Sequence, residues 1–232
     1  MTKLSGPMLP PASGGLPKQA VVLLHGYGSD GNDLIGLAPH WQGILPDAVF
    51  ISPNAPEPCR QLAFGFQWFD VSMDGDRLAS RQTGVVEARP VLVEFLEDLW
   101  RQSGIGPENT ILVGFSQGAM MALHTGLSLD RPLMGIIAFS GAFLPPRDFG
   151  LGAMARTPVC LVHGDMDDVV DPEHSADADV ALRLAGYDVS YHVSAGVGHG
   201  IAPDGLAFAT AFIQRVAAGQ GKENARAPAS QP

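Results

Sequence analysis

Residues 110–127 read TILVGFSQGAMMALHTGL, and their order decides the fold. An apolar run of strand length, Thr110–Val113, leads into Gly114-Phe115-Ser116-Gln117-Gly118, and a helical pattern, Gln117–Leu129, follows. A serine on so tight a strand-to-helix turn sits in a strained backbone with its hydroxyl clear of the chain. Side chains at the two flanking positions would strike neighbouring strands, and glycine removes them. The head of the helix presents free N–H groups to any oxyanion that forms there. With 28 glycines in the chain the G-x-S-x-G pattern by itself is modest evidence. The strand before it and the helix after it make Ser116 a candidate nucleophile.

The same alternation extends in both directions. Apolar runs of strand length occur at Ala20–Leu24, Ala48–Ser52, Leu133–Ser140, Pro158–His163 and Asp188–Val193. Helical patterns fall between and after them, at Asp33–Leu45, Val85–Gln102, Glu173–Ala185 and Asp204–Ala217. Several strands are continuously apolar, as strands covered by helices on both faces must be. The class is therefore α/β, with a mostly parallel, doubly wound sheet in one domain over residues 19–218. Pro90 inside the second helical pattern either starts that helix or kinks it. Residues 1–18, rich in Pro and Gly, read as an irregular lead-in, and residues 219–232 as a disordered tail.

Composition narrows the function classes. The 232 residues are 46% hydrophobic, enough for a large core. The net charge of −10 and the lack of a basic stripe argue against nucleic acid and anionic membrane surfaces as partners. Apolar runs such as Met134–Phe139 are far too short to span a bilayer. The first residues show no apolar secretory segment, so the expected location is the cytoplasm. Of the two cysteines, Cys160 reads as a small buried hydrophobe and Cys59 follows a Pro-rich turn; a disulfide is not expected. No Cys/His cluster has zinc spacing, so no metal is expected.

A serine hydroxyl needs a general base, and the base needs an orienting carboxylate. Among seven histidines, His40, His124 and His174 fall in helical patterns and His192 lies mid-strand. His25 and His163 end strands just before Gly, where they shape turns. His199 sits in Gly196-Val197-Gly198-His199-Gly200, after the last strand and before the last helix, where a ring reaches over the head of the sheet. It is the candidate base. The acid belongs between Ser116 and His199 in this kind of fold. Four aspartates follow the strand ending at His163. Asp165 suits the turn, Asp171 suits a helix cap ahead of Pro172, and Asp167 and Asp168 remain.

The first strand ends Leu24-His25-Gly26-Tyr27-Gly28-Ser29-Asp30-Gly31, which spells G-x-G-x-x-G. That raises a rival reading, a dinucleotide-binding oxidoreductase. The rival needs an acidic residue at the tip of the second strand, and Phe50-Ile51-Ser52-Pro53-Asn54 has none. It also leaves the serine turn, the aspartate turn and the histidine loop unused. Beside a nucleophile, the same glycines let the backbone approach a reacting carbonyl. The N–H of Tyr27 and the N–H of Gln117 then become two oxyanion donors.

Taken together, LHGYG at 24–28, QWFD at 67–70, GFSQG at 114–118, HGDMDDVV at 163–170 and GVGHGI at 196–201 resemble the phospholipase/carboxylesterase family, from about Gln19 to Val216. The resemblance implies a compact α/β-hydrolase fold without a large cap domain. It implies a triad of Ser116, Asp167 and His199, the HG-x-x-D pattern choosing Asp167. It matches Tyr27 and Gln117 to the oxyanion donors, and Trp68 and Phe69 to the wall of an acyl pocket, although two loop aromatics are also ordinary anchors. Asp168 and Asp171 stand where the family often has proline. The implied activity is hydrolysis of a small-molecule acyl ester or thioester without a cofactor. A carboxylesterase on small to medium acyl chains is the preferred form; an acyl-protein thioesterase or lysophospholipase is the alternative. A catalytically silent binding protein on the same scaffold would not need the full set of catalytic residue types. The expected assembly, if any, is a homodimer through exposed apolar surface.

Overall fold

The structure is a computed structural model and describes residues 3–71, 77–150 and 156–224. Seven strands form one sheet in the order β1-β3-β2-β6-β7-β8-β9. They are β1 (Met8–Leu9), β2 (Gln19–Leu24), β3 (Ala48–Ile51), β6 (Thr110–Phe115), β7 (Gly135–Phe139), β8 (Val159–Gly164) and β9 (Val189–Ser194). All neighbours are parallel except β1, which pairs antiparallel with β3 through Met8↔Ile51 and Leu9↔Phe50. Two further short strands, β4 (Glu57–Pro58) and β5 (Phe66–Gln67), form a separate antiparallel ribbon above the sheet's carboxyl end.

Successive side chains of a strand point to opposite faces, and this sorts the core into two layers. Val22, Leu24, Leu112, Ile136, Ala138 and Leu161 pack with the buried faces of α3 (Arg77–Ser103), α4 (Gln117–Gly126) and α5 (Glu173–Leu184). Their neighbours Val21, Leu23, Ile111, Val113, Ile137, Cys160 and Val162 pack on the other side. There they meet Leu34 of α1 (Gly31–Leu34), Trp41 of α2 (Ala38–Trp41), and Ala209, Phe212 and Ile213 of α6 (Pro203–Asn224). The sheet is thus mostly parallel and covered on both faces, as expected. Cys59 and Cys160 are free and buried, and burial pushes the Cys160 thiol up to about 12.

Four features differ from the sequence reading. The lead-in contributes β1, whose two residues depend on the edge of β3 rather than on any local pattern. The helical pattern at Asp33–Leu45 is broken into α1, a 3₁₀ turn at Ile35–Leu37 and α2, with Pro39 opening α2 where a missing N–H costs nothing. α3 starts eight residues before Val85 and carries Pro90 inside it. α6 runs to Asn224, through the first part of the stretch expected to be disordered; residues 225–232 lie outside the described residues.

Candidate active site

The carboxyl ends of β2, β6, β7 and β8 bring the candidate residues together. Ser116 follows β6 and heads α4 with φ 54° and ψ −116°, a region that non-glycine residues enter only under strain. The strain is locked in from both sides. The Ser116 N–H donates to Phe139 O at 2.9 Å, and Ser116 O accepts from the Met120 N–H at 3.1 Å. Close packing under the turn explains the glycines. A Cβ on Gly118 would lie 1.9 Å from Leu24 O, and one on Gly26 would lie 3.2 Å from the Phe115 ring and 3.4 Å from Ser116 Cβ.

His199, in the loop between β9 and α6, reaches the serine. Its Nε2 lies 2.9 Å from Ser116 Oγ and its Nδ1 2.7 Å from Asp167 Oδ2. A carboxylate only accepts, so Nδ1 carries the proton and Nε2 faces the hydroxyl as a base. The imidazole packs against Phe115 with ring centroids 4.8 Å apart. The loop is tied down: the Met166 N–H donates to Val197 O at 2.9 Å, and the Gly196 N–H to Asp165 Oδ1 at 2.6 Å. Asp171 accepts from the Glu173 N–H at 3.0 Å at the start of α5, and Asp168 is exposed. Of the four aspartates, Asp167 is the one hydrogen-bonded to His199.

On the other side of Ser116 stands the loop carrying Tyr27. Among the described residues, neither the Tyr27 nor the Gln117 main-chain N–H has a hydrogen-bond partner, whereas the Gly28 N–H donates to Phe66 O at 2.9 Å. The glycines of the G-x-G-x-x-G pattern serve close packing here, and Gly31 opens a helix of four residues, too short for the phosphate-binding helix of a dinucleotide fold.

Residues 12–217 match the phospholipase/carboxylesterase family. The chain belongs to this family. It is 34% identical to the esterase YpfH of Escherichia coli K12 over 195 residues, 83% of this chain and 80% of that protein. It is 30% identical to acyl-protein thioesterase 1 of Gibberella zeae over 209 residues, 84% of this chain and 89% of that one. The crystal structure of esterase PE8 superposes with a TM-score of 0.88 at 52% identity, covering 92% of this chain and 99% of that one. As a phospholipase/carboxylesterase family member, the chain is an α/β-hydrolase acting on esters or thioesters.

In this hydrolase Asp167 is surrounded by donors. Asp167 Oδ1 accepts from the N–H groups of Val169 and Val170, each at 2.9 Å, and Oδ2 from His199 and from His163 Nε2 at 3.1 Å. Burial pushes the carboxyl pKa up, but the Val170 N–H, His199 and the Val169 N–H outweigh it and hold the pKa below the ordinary value. His163 was expected to shape a turn. Instead it is fully buried behind the acid. Its Nε2–H is divided between Asp167 Oδ2 and Val170 O (2.9 Å), and its Nδ1 accepts from the Ser175 hydroxyl at 2.6 Å. Burial lowers the His163 pKa, so the ring stays neutral at neutral pH. Its place four residues ahead of Asp167 was the one available signal.

His25 has a matching place under the Tyr27 loop. It is fully buried, its Nδ1–H donates to Gly26 O at 2.7 Å, and its Nε2 accepts from the Ala55 N–H at 2.9 Å. Burial lowers its pKa too. Trp68 and Phe69, expected as pocket wall, are 2% and 5% exposed. They border a hollow of about 470 Å³ toward α3, whose described walls include Glu57, Arg60 and Glu87 but neither Ser116 nor His199. Among the described residues no cluster of His, Cys, Asp or Glu is arranged to hold a metal, and no helix is long and apolar enough to cross a membrane.

Proposed function

We propose that this hydrolase cleaves carboxylic esters of small to medium acyl chains by two-step acyl transfer through Ser116. The observation that carries the reading is the continuous chain Ser116 Oγ–His199–Asp167, at 2.9 and 2.7 Å. In the first step His199 Nε2 takes the hydroxyl proton as Oγ attacks the acyl carbonyl. The tetrahedral oxyanion is held by the N–H groups of Tyr27 and Gln117, and loss of one such donor typically costs about 10²–10³ in kcat. Protonated His199 then passes its proton to the leaving alcohol. Water enters, gives a proton to Nε2 and attacks the acyl-serine, releasing the acid and restoring Oγ–H. Asp167 holds the imidazole in the required tautomer and stabilises its charged form without taking the proton. No metal or cofactor enters the scheme.

Oxygen esters and thioesters share this tetrahedral geometry. The relatives named acyl-protein thioesterase 1 support a second reading, in which a thiolate rather than an alkoxide leaves. Hydrolysis of p-nitrophenyl acetate, butyrate, octanoate and palmitate by the wild type and by Ser116→Ala tests both. A loss of at least about 10³ in the variant is expected, with acetate and butyrate among the preferred substrates. A sharp preference for the longest chain moves the assignment to the second reading; equal activity of the two proteins removes Ser116 from the mechanism.

A further inference from the structure

We infer that Trp68 and the side chain of Gln117 are positioning residues that set the distance between the two oxyanion donors; the inference rests on the assignment of the Tyr27 and Gln117 N–H groups to that role. The two donors belong to different parts of the chain, one following β2 and the other heading α4. Residues 66–69 bridge both parts. Toward the Tyr27 loop, Phe66 forms a closed pair of main-chain bonds: its O accepts from the Gly28 N–H at 2.9 Å, and its N–H donates to Ser29 O at 2.8 Å. The Trp68 indole Nε1–H then donates to His25 O at 2.9 Å, on the other side of Tyr27. Toward α4, the Trp68 main-chain N–H donates to Gln117 Oε1 at 2.8 Å, and Gln117 Nε2 donates to Phe69 O at 2.7 Å.

The Tyr27 loop is therefore held before and after the donor, and the same four-residue segment grips the residue that carries the second donor. Every group in the bridge is neutral, and Trp68, Phe69, Gln117 and His25 are all buried. Buried hydrogen bonds of this kind are costly to leave unmade, so the geometry is stiff. An oxyanion hole works only when its donors are aimed in advance at the position the charge will occupy. A misplacement of about 1 Å can cost about 10² in rate. The bridge consequently acts on the transition state more than on ground-state substrate binding. It also gives the Trp68 ring a use that differs from a pocket wall.

Two variants separate this role from a merely structural one. Trp68→Phe removes the indole donor and keeps an aromatic ring; Gln117→Met removes both side-chain hydrogen bonds and keeps the main-chain N–H. Each is compared with the wild type for kcat and KM on p-nitrophenyl butyrate, for inhibition by a trifluoromethyl ketone that mimics the tetrahedral intermediate, and for Tm. The expected result is a fall in kcat of about 10- to 100-fold, KM within about threefold, and ketone inhibition weakened in parallel with kcat. Unchanged kcat and ketone inhibition in both variants, a rise in KM alone, or loss of folding in both overturns the inference. Ser116→Ala in the same series keeps the two levels apart. If it retains activity, the acyl-transfer reading fails; if it is inactive while Trp68→Phe and Gln117→Met behave as wild type, only the bridge fails.

Discussion

The polar structures on the two sides of Ser116 are built on different principles. On the acid side, one carboxylate gathers four N–H groups, two from the main chain and two from imidazoles. On the oxyanion side, the bonds from His25, Trp68 and Gln117 join neutral groups only. Each side has a fully buried histidine, His163 or His25, whose pKa burial lowers. Under the proposed acyl transfer, the difference separates two demands of the chemistry. The acid side must stabilise a positive charge that appears on His199 and vanishes again, which takes a permanent opposite charge. The oxyanion side must meet a charge arriving from the substrate, which takes donors fixed in place and no resident charge to compete.

Removing the charge gives the sharpest break in this comparison. In Asp167→Asn, Oδ1 can still accept from Val169 and Val170, but an amide NH₂ facing His199 Nδ1 forces the imidazole into the other tautomer. Nε2–H then points at the serine, and kcat falls by about 10³–10⁴ with little change in KM. Steady-state kinetics beside a circular dichroism melt shows whether the loss is catalytic.

Fit is tested by the glycines of the other side. Gly118→Ala brings a methyl within 1.9 Å of Leu24 O and 2.7 Å of His25 O, main-chain atoms that cannot give way, and is expected to destabilise the fold by about 2–3 kcal/mol. Gly26→Ala meets only the Phe115 ring and Ser116 Cβ, at 3.2 and 3.4 Å. It is expected to remain folded with a smaller Tm loss. Equal losses in urea melts of the two variants would remove the argument that main-chain contact at Gly118 dictates the turn.

The smallest expected effects lie at the buried histidines. His163→Leu removes one of four donors from the carboxylate and should reduce kcat by about tenfold. The pH dependence of stability follows from the lowered pKa values of His25, His124 and His163. Unfolding lets each ring return to its ordinary value near 6.5, so below that pH the unfolded chain binds more protons and stability falls as pH drops. Asp167 adds a loss at lower pH, because its folded pKa lies below its unfolded one and its contribution disappears as pH falls through the folded value. Tm measured from pH 8 to pH 5 should decline below about 6.5, and less steeply in His163→Leu. A flat profile would contradict neutral burial of these rings.

The strand-helix alternation was legible because the central strands are mostly apolar and the longer helices carry their own periodicity. The meeting of Ser116 and His199 was legible because local chain signals, a tight glycine turn and a glycine loop, place both side chains at the carboxyl end of the sheet. Asp167 was not separable from Asp168 on local grounds, since one step along a turn decides which side chain faces inward. The surroundings of His163 and the partners of Trp68 were not legible, for another reason. The bonds that define Trp68 span 43 and 49 residues, and no pattern within a turn or a helix reports on such a distance. β1 escaped notice similarly, as two residues made a strand by the edge they lie against.

The tether between the acid loop and the histidine loop has one more consequence. Asp167 and His199 are 32 residues apart in sequence, yet Gly196 bonded to Asp165 and Met166 bonded to Val197 make their loops a single mechanical piece. The clamp thus fixes Asp167 and His199 relative to each other independently of the contact that His199 makes with Ser116. A designer moving this chemistry to another scaffold would have to transplant the two loops as one cassette, because either of them alone would arrive without the clamp that keeps its partner in register.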